Sequence, residues 1–249
     1  MLRRVADIDT LGALELFSAD ECDRVADTVL DLRDAWRTRS PNSAFFTLGV
    51  NAYMDLEQAV DPQASYHLCA VQTNTVLRER FGSVLTTLSA GLEEALGMSV
   101  RYVDDLALPG FHVWTSSGIP RTASSSIHFD LQYQRLLTRP EYAHATGTMS
   151  FTLPIRLPAG GSSLLVWPGF AFPDDVPRLD VARTVGPRAI EYHVGTALVH
   201  SGHVLHQIGP TPTVAPDDIR ITLQGHGLVE TTNSFCTGSP PPFPGGCNV

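Results

Sequence analysis

The sequence predicts a mainly β protein with N-terminal α-helices, built as a double-sheet jelly roll or related barrel. Three observations carry this. Helical patterning stops near Gly97, and the rest of the chain breaks into eight or nine short runs rich in β-branched and aromatic residues, punctuated by Gly, Pro and Ser. A chain of 249 residues with 43% hydrophobic content buries enough apolar surface for one such domain. No composition shift marks a linker, so residues 1–249 are expected as a single domain: 1–97, mainly helical, packed on a β core at 98–230, with a Pro/Gly-rich tail at 231–249.

Taken in order, Ser18-Ala-Asp-Glu21 forms a capping box, and Val25, Ala26, Val29, Leu30 and Leu32 follow at near-helical spacing. This predicts a helix to about Trp36. Residues 39–62 carry Ser-Pro, Asn and Gly signals and are expected to be irregular, with Tyr53 and Met54 reaching a core or pocket. From Ala64 to Leu96 the pattern is helical again, with Gly82 and Gly91 as interruptions or ends. Strands are expected at 99–103, 111–115, 125–133, 148–157, 162–167, 189–193, 196–200, 204–208 and 219–229, with loops at 168–187 and 209–218. The Pro-rich run from Thr237 cannot form a regular hydrogen-bonded element and is expected to be extended.

Charge narrows the partner. A net charge of -9 with no basic run disfavours nucleic acid and anionic membrane surfaces, leaving a small molecule as the expected ligand. The N-terminus carries Asp7 and Asp9 where a signal peptide or span would be apolar, so a cytoplasmic location is expected. Cys22, Cys69, Cys236 and Cys247 form no Cys-x-x-Cys pair and are expected mostly to be packing thiols, with pairing of Cys236 and Cys247, which bracket the tail, as the alternative under oxidation.

The chemistry begins at Ser124-Ser-Ser-Ile-His-Phe-Asp130. In a strand, His128 and Asp130 point to one face while Ile127 and Phe129 pack behind. His200, His203 and His206 compete to supply a second imidazole. Gly195 and Ser201-Gly202 favour strand, turn, strand, so at most one of the three joins the pair. Two His and one carboxylate on one face of an iron, with open positions opposite, is the arrangement of non-haem Fe(II) oxygenases. Further on, Arg220, Thr222, Gln224 and His226 share one strand face and Ile219, Ile221 and Leu223 the other. Inside a barrel, such a guanidinium and hydroxyl would anchor a carboxylate; on an edge strand they would face water.

His128-Phe-Asp130, the segment from Gly195 to Pro210, and Arg220-Ile-Thr222 fourteen residues after His206 together resemble the Fe(II)/2-oxoglutarate-dependent dioxygenase superfamily. Its pattern is His-x-Asp, a distant His, and Arg-x-Ser/Thr shortly after. The resemblance covers about residues 110–230 and implies a double-stranded β-helix, the cupin-like form of the jelly roll. It assigns His128, Asp130 and His206 to the metal as the catalytic centre, with His203 as the fallback, and Arg220 and Thr222 to the distal carboxylate of 2-oxoglutarate. Thr222 stands where Ser is commoner. Gln132, which continues the parity of Asp130 together with Gln134, would touch the cosubstrate or substrate or else lie exposed past the strand end. Implied cofactors are Fe(II), 2-oxoglutarate and O2, and the implied reaction is hydroxylation of a small molecule (an amino acid, short peptide or specialised metabolite) with release of succinate and CO2. Desaturation, cyclisation and epoxidation share the same residues. Related halogenases carry Gly or Ala where Asp130 stands, so Asp130 implies a product without halogen. The rival from another class is a cupin-like protein that binds a metal or ligand without redox chemistry.

Other polar residues divide less sharply. His112 and Trp114 share a face on the preceding strand, His112 being read first as a hydrogen-bonded core residue, and 115–121 as a pocket lid. Arg156, on the face of Thr148, Ser150 and Thr152, would meet an acidic substrate or, more commonly, a structural carboxylate. His226 falls near the pocket, while His67, His144 and His193 are read as structural or surface residues.

Overall fold

The expected capping box starts the first helix of the computed structural model, which describes residues 3–4, 11–39, 44–55, 62–123, 126–131, 145–171, 179–230 and 234–236. Glu21 N–H donates to Ser18 Oγ at 3.3 Å and Ser18 N–H to Glu21 Oε2 at 2.8 Å. Helix α1 (Ala19–Asp31) buries Cys22, Ala26 and Val29, and ends short of Trp36 in a 3₁₀ turn at Arg33–Ala35. The stretch expected to be irregular holds a strand and the short helix α2 (Ala52–Asp55). Helix α3 (Pro62–Leu96) runs through both glycines, kinked beside Gly82 at Phe81. Gly91 does not break it. A Cβ there would come within 2.3 Å of Leu16 Cδ2, so Gly91 serves close approach to the neighbouring strand.

Strands β1 (Arg3–Arg4), β2 (Leu11–Glu15), β3 (Arg37–Thr38), β4 (Phe45–Leu48), β5 (Ser99–Arg101), β6 (Gly110–Thr115) and β7 (Ala145–Arg156) precede β8 (Ser163–Ala171). Helix α4 (Leu179–Thr184) then leads to β9 (Arg188–Glu191), β10 (Thr196–His200), β11 (Val204–Ile208), β12 (Ile219–Glu230) and β13 (Ser234–Cys236). The large sheet runs β1-β2-β10-β7-β12-β6-β4-β3, with β13 against β12 and β5, and the small sheet runs β11-β8-β9. This is the double-stranded β-helix. Four expectations need correcting. The N-terminal third lends β1, β2, β3 and β4 to the large sheet, the loop at 168–187 contains α4, β13 draws part of the tail into the sheet, and 126–131 is an extended segment with one isolated bridge. Short strands and a six-residue helix carry too little periodicity to be read from sequence. Residues 237–249 and His144 lie outside the described residues, as does the Tyr53 side chain.

The large sheet is apolar on one face and polar on the other. Phe111, Val113, Phe151, Leu153, Ile221 and Leu223 point to α1 and α3, meeting Val29, Leu77, Phe81, Leu88 and Leu92. The opposite parity, with His112, Ser150, Thr152, His200 and Thr222, faces the small sheet. Leu198 closes one end of that inner space against Leu164, Val166, Ile190 and Tyr192. Phe129, Trp167, Phe170 and Leu205 form a separate cluster under Ala182 of α4, and Trp167 Nε1 donates to the Ala182 carbonyl at 2.7 Å. Apart from the Leu198 cluster, apolar burial is thus placed outside the sandwich, so the rest of the space between the sheets can be polar.

Because Leu88 is fully buried on α3, Leu88→Ala should lower the unfolding free energy by about 2–5 kcal/mol, seen as a lower urea midpoint at unchanged slope.

Candidate active site

Two chain segments clasp to make the centre of the site. His128 N–H donates to the His206 carbonyl and His206 N–H to the His128 carbonyl, both at 3.0 Å, while Asp130 N–H donates to the Gly202 carbonyl at 2.8 Å. This pairing lays the 126–131 segment antiparallel to β11 and brings His128, Asp130 and His206 to one point. Their ligand atoms all lie within 4.8 Å of one another. His128 Nε2 is 3.7 Å from Asp130 Oδ1, and His206 Nε2 is 3.6 Å from Asp130 Oδ2.

The ring orientations suit a cation. His128 Nδ1 is 2.8 Å from the Ser126 carbonyl and His206 Nδ1 is 2.8 Å from the Val204 carbonyl. A carbonyl only accepts, so each Nδ1 carries the proton and each Nε2 offers its lone pair inward. Burial pushes the His206 imidazole down to about 3, Asp130 opposing it, and so His206 is neutral near pH 7. Burial also opposes ionisation of Asp130, but the imidazoles around it, His206 foremost, hold its carboxyl well below the usual carboxylate range. The group therefore sets a neutral His206 imidazole and an ionised Asp130 carboxylate beside the His128 ring. His203 stands apart in the 201–203 turn, half-buried, its backbone N–H donating to Ser201 Oγ at 3.2 Å.

A partly open cavity extends from this group between the sheets, with His112, Trp114, Thr152, Tyr192, Gln224 and His226 among its walls. At its flank stands Arg220. The side chain is 1% exposed, and Nε and both terminal nitrogens are buried with no hydrogen-bond partner among the described residues. Its guanidinium carbon lies 5.6 Å from the Tyr192 ring centroid, and it is the cross-strand neighbour of Trp114, whose Nε1 is likewise buried and unpartnered among the described residues. Leaving a guanidinium buried and unpaired costs several kcal/mol. Burial lowers the Arg220 pKa from an ordinary value so high that the group stays charged. Thr222, fully buried two residues on, receives the Gln224 amide on its hydroxyl at 3.1 Å.

Gln132 and Gln134 lie outside the described residues. Arg156 leaves the inner face: the β7–β12 register shifts between Ile221 and Thr222, and its guanidinium reaches Asp23 at 3.3 Å and Asp27 at 3.2 Å on α1. It is a structural ion pair. His112 is buried and bonded to Asn51 at 2.8 Å, as a core histidine would be, but also faces the cavity. His226 Nδ1 stands 3.0 Å from Ser150 Oγ and 3.8 Å from Asp130 Oδ2. Two further walls are His200, read in the sequence only as a competing ligand, whose ring centroid is 4.8 Å from that of His206, and Phe45, not anticipated, which stacks on Trp114 at 3.9 Å. For His200 the available signal is its parity with Leu198, which also faces inward. For Phe45 there is none.

No family model matches the sequence, and no curated protein matches it. Among solved structures, the chain is similar to an N-substituted L-amino acid dioxygenase from Burkholderia ambifaria AMMD in complex with alpha-KG: TM-score 0.58 at 13% identity, over 91% of this chain and 86% of that one. A second structure of that dioxygenase superposes with a TM-score of 0.58 at 14% identity over the same shares of both chains. This chain has the fold of that dioxygenase. At such identity the likeness is one of architecture, and the site must be argued from its own residues.

Two outcomes test the geometry. At Gly202 a Cβ would lie 2.8 Å from the Asp130 carbonyl oxygen and 2.9 Å from Thr148 Cγ2, so Gly202→Ala should weaken Zn(II) or Fe(II) binding by about tenfold although no ligand is removed. His203→Ala should leave binding unchanged. In the metal-free protein His112 and His206 both titrate at about 3, against roughly 6.5 when unfolded, so the unfolded chain takes up protons first as pH falls. Stability should be intact above about pH 6.5 and fall toward pH 5, read as a lower urea midpoint; a midpoint that rises on acidification would contradict neutral imidazoles.

Proposed function

We propose that the protein is a non-haem Fe(II)/2-oxoglutarate-dependent oxygenase acting on a small molecule, most simply by hydroxylation. The observation that carries the reading is Arg220, a buried guanidinium lacking any hydrogen-bond partner among the described residues, behind Trp114 and Tyr192 of the cavity that holds a two-His, one-carboxylate group. One end of the space calls for a cation and the other for an anion. A dicarboxylate whose keto end meets a metal at His128, Asp130 and His206, and whose distal carboxylate meets Arg220 and Thr222, answers both.

In this reading the residues divide the work. His128 and His206 present Nε2 because their Nδ1 protons are engaged on backbone carbonyls. Asp130 supplies the negative charge that a divalent ion requires, and Arg220 fixes the far end of the cosubstrate in a site that excludes water. Iron with 2-oxoglutarate and O2 supplies the oxidation, releasing succinate and CO2. The fold likeness to an amino-acid dioxygenase supports the architecture of this reading. Among the described residues no helix is long and apolar enough to cross a membrane.

The test is aerobic incubation of the protein with Fe(II), 2-oxoglutarate and a panel of amino acids, peptides and metabolites, measuring succinate. Substrate-dependent succinate supports the reading. Tight metal binding with no succinate under any condition would favour the non-redox cupin-like alternative. Arg220→Ala should raise the 2-oxoglutarate requirement about tenfold to a hundredfold, the worth of a charge-assisted hydrogen bond of about 1.5–3 kcal/mol. Because Asp130 occupies the position that halogenases leave to a halide, the product should carry no halogen at high chloride or bromide. A chlorine isotope pattern by mass spectrometry would remove Asp130 from the ligand set.

A further inference from the structure

One buried polar network touches the cavity without belonging to the triad or to Arg220. His112, 4% exposed on β6, is the cross-strand neighbour of Thr47 on β4 and of Thr222 on β12. Its Nε2 lies 2.8 Å from the Asn51 amide nitrogen. An amide NH2 only donates, so Nε2 accepts and the proton of the neutral ring sits on Nδ1. Burial foremost, with Arg220, Arg39 and His226 adding to it, brings this imidazole down to about 3, which keeps it neutral.

Asn51 is itself held. Its backbone N–H donates to Asp55 Oδ2 at 2.7 Å, and Asp55 N–H donates to the Asn51 carbonyl at 2.9 Å. Asp55 is gripped bidentately by Arg39 at 2.7 and 2.9 Å, with Arg37 at 3.1 Å. Arg39 Nε also donates to Thr47 Oγ1 at 2.7 Å, the residue beside His112. A buried ion pair of this kind adds little net stability over apolar packing. Here it ends on one amide that selects one tautomer of a ring facing the cavity.

We infer that His112 is a ligand-positioning residue, whose Nδ1–H, fixed by Asn51, donates to the anionic cosubstrate beside Thr222. This rests on the function proposed above. It also accounts for the Arg39–Asp55–Asn51 chain, since a neutral ring in the other tautomer would turn a lone pair toward an anion and repel it.

The experiment titrates 2-oxoglutarate calorimetrically into the full chain loaded with Zn(II), so that no turnover occurs. His112→Phe should bind about tenfold more weakly than wild type, the effect of one neutral donor. His112→Asn, whose amide nitrogen can take the place of Nδ1, should stay within about threefold of wild type, whereas His112→Gln, which reaches the place of Nε2, should not rescue. Asn51→Leu should weaken binding in the same direction, and the histidine ¹⁵N spectrum should lose the Nδ1–H form of His112. Thermal melts identify any variant that fails to fold, and the Asn-against-Gln contrast then decides. Wild-type affinity in His112→Phe, or equal rescue by Gln and Asn, overturns the inference; lowered stability with unchanged affinity does so too, by leaving His112 a purely structural role. If Arg220→Ala loses 2-oxoglutarate while His112→Phe does not, the function stands and this inference falls. If wild type does not bind 2-oxoglutarate, both fall.

Discussion

A buried positive charge without a partner among the described residues is the constraint on which this site turns. Domain stability is only about 5–15 kcal/mol, and an uncompensated buried ion takes several of those. The cost is tolerable where an anion arrives to meet the charge. At the other end of the cavity, Asp130 is ionised beside the neutral His206 imidazole. Under the proposed reading, Asp130, Arg220, a divalent metal and a dianionic cosubstrate sum to zero charge, so each buried charge of the protein is matched in the loaded cavity.

The strands supply this by a division of faces. On β12, Ile221 and Leu223 anchor the sheet to α1 and α3 while Arg220, Thr222 and Gln224 turn inward, so each residue step alternates between holding the fold and building the site. A single register shift beside Ile221 decides the fate of Arg156, which exits to the acidic side of α1 rather than adding a second cation to the cavity. The bridge between His128 and His206 then sets ligand spacing through backbone hydrogen bonds, with each Nε2 turned toward Asp130.

The fold class and the metal-ligand pattern were legible in the sequence. His-x-Asp, a later His after a glycine-led turn, and an alternating Arg strand are local patterns; the backbone gathers His128, Asp130 and His206, and pairs Arg220 and Thr222 across β12 with Trp114 and His112, which line the cavity. What could not be read was non-local. β4 hides in a segment rich in turn residues, and its membership of the sheet is fixed only by pairing with β6. Gly91 reads as a helix breaker until Leu16 is seen packed on it. Likewise nothing in sequence joins Asn51 to His112, sixty-one residues apart, because that contact exists only once β4 and β6 are side by side.

The claim that one ligand spans the metal group and Arg220 is tested most directly by anaerobic titration of 2-oxoglutarate with and without Fe(II). The account predicts saturable binding to the iron-loaded protein and binding at least about tenfold weaker to the metal-free protein, since the keto end then loses its partner while Arg220 keeps the other. Equal affinity in the two states, or no binding in either, would contradict it.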